Sequence, residues 1–90
     1  MLKIVQSNRF KKDLKQARKR NLNLEELNIV VTKLANQETL EEKYHDHALS
    51  GNFSDFRECH IKPDWLLIYT IDEEEIELFL FRTGMHSDLY

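Results

Sequence analysis

Leu2 to Gln6 is a short apolar and β-branched run that reads as an opening strand. Ser7 then stands where an N-cap belongs, and the spacing predicts a helix over 7–20. Phe10, Leu14 and Ala17 recur at i, i+4 and i+7 and form its apolar stripe, while Lys11, Lys15 and Arg18 keep the same spacing one residue on. Asn21-Leu22-Asn23 interrupts the periodicity. Asn23 followed by Glu26 has the form of a capping box for a second helix whose stripe is Leu24, Leu27, Val31 and Leu34. Two consecutive amphipathic helices with a short link make a helical hairpin that must bury one side on something else.

The second half of the chain changes period. After an aperiodic stretch, 37–50, which Leu40, Tyr44 and Leu49 are expected to pin as an ordered loop, Phe53 to Ile61 reads as a strand of mixed polarity. Lys62-Pro63-Asp64 reads as a turn, because Pro63 fixes φ and lacks an N–H donor. Trp65 to Ile71 is a strand apolar on both faces, Asp72 to Glu75 a solvated hairpin tip, and Ile76 to Phe81 the last strand. Arg82 is expected to close that strand, with Gly84 turning the chain toward His86. The order βααβββ predicts an α+β fold: a twisted, largely antiparallel sheet with the N-terminal helical hairpin on one face and the other face free for function.

Ninety residues support one domain, 1–90, and composition changes the picture only locally. The net charge is -3, yet residues 1–20 hold eight basic side chains against the single acid Asp13. Periodicity leaves two readings of the resulting ridge, a solvated helix face or a phosphate-binding surface. The longest apolar run, Trp65 to Ile71, is far short of the roughly 20 residues of a membrane span, and the first residues lack a signal-peptide layout. A cytoplasmic protein without a membrane partner is the expectation. The single Cys59, set among apolar strand residues, reads as a small buried hydrophobe.

Histidines supply the candidate chemistry. His45-Asp46-His47 contains two imidazoles flanking an acid, but a bare His-x-His without a cysteine cluster or an H-E-x-x-H helix is a weak metal signal. His47, His60, Asp64, Arg82 and His86 border predicted strand ends and could converge on the free face. Each also has a structural explanation: turn former for Asp64, pairing with an acid such as Glu58 for Arg82, surface hydrogen bonding for the histidines.

Three segments carry a resemblance: Asp46-His47-Ala48-Leu49-Ser50-Gly51, Phe56 through Tyr69 with His60-Ile61-Lys62-Pro63-Asp64-Trp65 at its centre, and Arg82-Thr83-Gly84-Met85-His86-Ser87-Asp88-Leu89-Tyr90. Together they resemble the YafQ branch of the RelE-like toxins of bacterial toxin–antitoxin systems, across essentially the whole chain. The resemblance implies a ribosome-dependent endoribonuclease that cuts mRNA in the A site of the 70S ribosome without a cofactor or metal. It implies a cognate antitoxin as partner, with operator DNA reached only through that antitoxin. By matching position, His47, His60, Asp64 and His86 are its catalytic residues, and Arg82 contacts the scissile phosphate. Lys11, Lys12, Lys15, Arg18, Lys19 and Arg20 would then engage rRNA and mRNA phosphates, with Tyr90 at the family's terminal aromatic and Trp65 assigned to the core. The acidic net charge departs from the basic character usual in such toxins. A non-catalytic binding module of the same fold is the alternative reading.

Overall fold

The computed structural model describes residues 1–90. The order of elements is β1 (Lys3–Gln6), α1 (Asn8–Lys19), α2 (Leu24–Ala35), β2 (His47–Ala48), β3 (Arg57–Lys62), β4 (Trp65–Asp72), β5 (Glu77–Met85) and α3 (His86–Leu89), with single 3-10 turns at Glu42–Tyr44 and Gly51–Phe53. Both helix starts form as the caps predict: Ser7 Oγ accepts from the Phe10 amide at 2.9 Å and Asn23 Oδ1 from the Glu26 amide at 3.2 Å. Glu26 does not close the capping box, because its Oε1 accepts instead from the Tyr44 hydroxyl at 3.1 Å. The same bond pins the 37–50 stretch to the body.

The five strands order as β1-β5-β4-β3-β2, antiparallel except for β1, which lies parallel to β5 at the edge. Phe10, Leu27, Val30 and Leu34 of the helices pack on Cys59, Ile61, Trp65, Leu67, Tyr69, Leu78 and Leu80 of the sheet. These alternate along their strands, so the helices cover one face only. Trp65 belongs to this core. Its Nε1 donates to Thr83 Oγ1 at 2.9 Å, which in turn donates to the Leu66 carbonyl at 2.7 Å, so no buried polar atom of the pair is left unpaired.

Three expectations are corrected. The last strand is longer than its apolar pattern: β5 runs through Arg82, Thr83 and Gly84, with Gly84 paired to Leu66 rather than forming a turn. The mixed strand, expected from Phe53, begins only at Arg57, and Phe53 ends the 3-10 turn Gly51–Phe53 instead. The second face is not bare, since Leu66 and Ile68 lie on it and are buried. Leu49, Phe53, Leu89 and Tyr90 gather around Ile68 and Arg82 and roof that part of it.

Candidate active site

The register of the sheet builds the site. His47 of β2 lies opposite Glu58 of β3, Glu58 opposite Ile68 of β4, and Ile68 opposite Arg82 of β5. One transverse row on the face away from the helices therefore carries His47, Glu58, Ile68 and Arg82, with neighbouring positions about 4.8 Å apart between strands. His60, two residues beyond Glu58, points to the same face.

Backbone carbonyls fix the tautomers of two imidazoles. His47 Nδ1 lies 2.6 Å from the His45 carbonyl and His60 Nδ1 lies 3.1 Å from the Pro63 carbonyl. A carbonyl can only accept, so each Nδ1 carries a hydrogen and each Nε2 is the atom left to exchange a proton. The His47 Nε2 faces Glu58 Oε1 at 3.4 Å, and the two rings lie 6.3 Å apart between centroids.

Glu58 is the residue that sequence reasoning missed. Its side chain is 8% exposed, and its two oxygens divide between His47 and the Tyr90 hydroxyl, which donates to Oε2. Burial, followed by the bond to Glu58, pushes the Tyr90 phenol up to about 12. The signal was present as alternation: Glu58 and His60 occupy one side of a strand whose other side, Cys59 and Ile61, is core.

The last residues approach the row from above. The His86 amide donates to the Asp64 carbonyl at 3.1 Å, which joins α3 to the turn between β3 and β4. The His86 and Tyr90 rings lie 5.0 Å apart. Asp88 Oδ2 accepts from the Met85 amide at 3.1 Å and from Arg20 Nη1 at 2.6 Å, and the Arg20 guanidinium holds the Asp88 carboxyl below its usual range. Arg20 is thus committed to an ion pair, whereas Lys11, Lys12, Lys15, Arg18 and Lys19 are exposed and make no ion pair.

Arg82 is oriented by a carboxylate of α1. Its Nε and Nη2 donate to Asp13 of α1 at 2.8 and 3.1 Å, and Asp13 also accepts the Thr83 amide at 3.1 Å. Strand β1 pairs with β5 only as far as Leu80, so α1 supplies Asp13 to the uncovered sheet edge beyond it. The fork is oriented by this contact, and Nη1 keeps its donors free. His47, His60, Glu58, Tyr90, His86 and the Asp64 turn are brought together; Arg82 stands three strands from His47 on the same row.

The His45-Asp46-His47 segment does not form a ligand set. Asp46 turns to Tyr69 Oη at 2.6 Å and Arg57 Nη2 at 3.2 Å, away from the imidazoles. No three His, Cys, Asp or Glu side chains are grouped so as to hold a metal ion, and no helix is long and apolar enough to cross a membrane.

A five-stranded sheet of this order, with two helices on one face and a single-turn helix and histidines on the other, places the chain in the α+β class. Residues 2–90 match the family described as the bacterial YafQ toxin of type II toxin–antitoxin systems, and the chain belongs to it. It is 35% identical over 88 residues to the mRNA interferase toxin YafQ of Escherichia coli K12, covering 97% of this chain and 94% of the relative. A metal-bound toxin from Helicobacter pylori shares the fold with a TM-score of 0.95 and 50% identity over the whole of both chains. YafQ in the E. coli DinJ–YafQ complex superposes with a TM-score of 0.90 at 35% identity, covering 100% of this chain and 99% of that one.

Proposed function

We propose that this chain is an mRNA endoribonuclease that acts on the translating ribosome and is neutralised by a cognate antitoxin. The observation that carries the activity is the set of proton-transfer groups at one sheet face: His47 beside buried Glu58, His60 with a fixed tautomer, and His86, tied by its amide to the Asp64 carbonyl with its ring 5.0 Å from that of Tyr90. The name of the E. coli relative supports mRNA as substrate, and its complex with DinJ supports an antitoxin partner.

The reaction is attack of a ribose 2′-hydroxyl on the adjacent phosphorus. The hydroxyl proton passes to the His47–Glu58 pair, the P–O5′ bond breaks, and His86 delivers a proton to the departing 5′-oxygen. A 2′,3′-cyclic phosphate and a 5′-hydroxyl result. His60, carrying a proton on Nε2 as well as on Nδ1, and the free Nη1 of Arg82 stabilise charge on the phosphorane. Asp64 orients the site through the backbone bond to His86, its carboxylate being exposed at the turn. Tyr90 keeps Glu58 in place and offers its ring to a base. The exposed ridge of Lys11, Lys12, Lys15, Arg18 and Lys19 meets ribosomal phosphates, a localised positive surface on a chain of net charge -3.

The decisive measurement is the mapping of 5′ ends on translated mRNA with the wild-type protein and His86→Ala. In-frame cuts with 5′-hydroxyl ends, dependent on translation, unaffected by a chelator and reduced at least a hundredfold in the variant, are the expected result, on the order of a general-acid contribution. Ends carrying 5′-phosphate, or wild-type rates in the variant, would remove this mechanism.

A further inference from the structure

A cavity of about 440 Å³ opens around the end of β3, on the far side of His60 from the transverse row. Lys43, Tyr44, His45, His60, Lys62 and Glu26 of α2 are among the residues that line it. Its size falls within the roughly 300–1,000 Å³ of small-molecule sites, large enough for a nucleotide unit.

Its two lysines, Lys43 and Lys62, make no direct ion pair, whereas Lys33, Arg20, Arg57 and Arg82 are each bound to a carboxylate. Lys43 Nζ sits 5.1 Å from the centre of the Tyr44 ring, an arrangement that localises the ammonium while leaving its three donors free. The one acid that lines the cavity, Glu26, accepts from the Tyr44 hydroxyl.

His45 connects this cavity to the chemistry. It closes the 3-10 turn with φ of +47°, a left-handed conformation uncommon for a residue with a Cβ. In that conformation its carbonyl fixes His47 Nδ1 at 2.6 Å while its ring meets the His60 ring edge-on at 5.6 Å between centroids. His60 is consequently a shared wall, with the row of His47 and Glu58 on one side and the two lysines on the other.

We propose that Lys43, Lys62 and His45 bind the RNA phosphodiester one nucleotide removed from the scissile one, so that the strand bends around His60 from the sheet face into this cavity. The proposal rests on the RNA-cleaving function and adds a second anchoring point for the substrate. An RNA strand fits better than an acidic protein segment because a polymer of regularly spaced phosphates can occupy both sides of His60 at once. The lysines act as point charges on the backbone and carry no base preference.

Two measurements on the full chain test it. Adenosine 5′-monophosphate titrated into the protein should shift the backbone amide resonances of Lys43, His45 and Lys62 saturably, and the Lys43→Gln/Lys62→Gln protein should bind it about tenfold more weakly, the weight of one charge-assisted hydrogen bond. Equal affinity in the double variant, no saturable shift at these amides, or tighter occupancy of the same amides by a hexaglutamate peptide would overturn the assignment. In translation-dependent cleavage, the double variant should raise KM several-fold with kcat retained, while Lys43→Arg/Lys62→Arg restores KM. A wild-type protein that cleaves normally with KM unchanged in the double variant sinks the subsite alone. A wild-type protein that never cleaves sinks the ribonuclease function, and the nucleotide titration still reports on the cavity.

Discussion

Tyr90 and Glu58 meet across 32 positions of sequence, the phenol of one donating to a carboxylate that the fold has buried beneath it. The bond ties the end of the chain to the middle of the sheet. Its pH dependence follows from the direction of the Tyr90 shift, up from 10.0 to about 12. A group whose folded value is raised contributes stability fully present below its unfolded value and lost as pH rises through the folded one. The contact should therefore hold at pH 10 and fail toward pH 12. Absorbance at 295 nm, compared between wild type and Tyr90→Phe, is expected to show no phenolate from Tyr90 at pH 10. Ionisation there at half extent or more would mean that Glu58 is not its acceptor in solution.

Arg20 and Asp88 should govern catalysis through the placement of α3 rather than through RNA. Arg20→Ala and Asp88→Ala are each expected to lower kcat several-fold with KM little changed, and the exchanged pair Arg20→Asp/Asp88→Arg to recover part of the loss. The Asp88 carboxyl is held low, so the clamp is complete above about pH 4 and is lost as pH falls through the depressed value. An Arg20→Ala protein with a raised KM and unchanged kcat would return Arg20 to the phosphate-binding ridge.

Gly84 leaves room for α3. A Cβ built there would meet Leu89 Cδ2 at 3.3 Å and Asp88 Cβ at 3.5 Å, while the strand conformation itself asks for no glycine. Gly84→Val should consequently keep the melting temperature within a few degrees, about the shift of a sub-kcal/mol change in a chain this size, and reduce cleavage at least tenfold by lifting His86. A large fall in melting temperature with normal cleavage in the folded fraction would show that the position serves the sheet and not the tail.

Cys59 should be inert in the folded protein. It is fully buried in the core, and desolvation pushes its thiol well above the usual range, leaving no thiolate at neutral pH. Labelling with a disulfide reagent is expected only at the rate of global opening. Cys59→Ser places a hydroxyl in the core at a cost of about 1–3 kcal/mol, readable as a lower denaturant midpoint. Rapid stoichiometric labelling under native conditions would contradict this burial.

The elements with a clear period were legible before any coordinates. The stripes Phe10, Leu14, Ala17 and Leu24, Leu27, Val31, Leu34 define both helices, and Ser7 and Asn23 mark where they start, because caps and spacing are local properties of the chain. Strand β2 was not legible: two residues cannot show an alternation. The extension of β5 through Arg82-Thr83-Gly84 was hidden for a related reason, since its pairing with β4 outweighs a weak strand propensity. In the candidate site, His47, His60 and His86 were identifiable by residue type. Glu58 and Asp13 were not, since a carboxylate in a charged sequence carries no mark of what it will face.

By itself the sequence determined the α+β class and the helical hairpin on one face, and it offered histidines and an arginine whose ribonuclease role rested on the family resemblance. The class and the hairpin follow from periodicity, which needs only neighbours along the chain. Only the tertiary structure decided which cations remain free and which proton-transfer groups have a partner. Arg82 is turned onto Asp13, Arg20 onto Asp88, and Glu58 between His47 and Tyr90. Each of these pairs joins residues 11 to 69 positions apart, and sheet register and helix docking, not spacing in the chain, bring them within hydrogen-bonding reach.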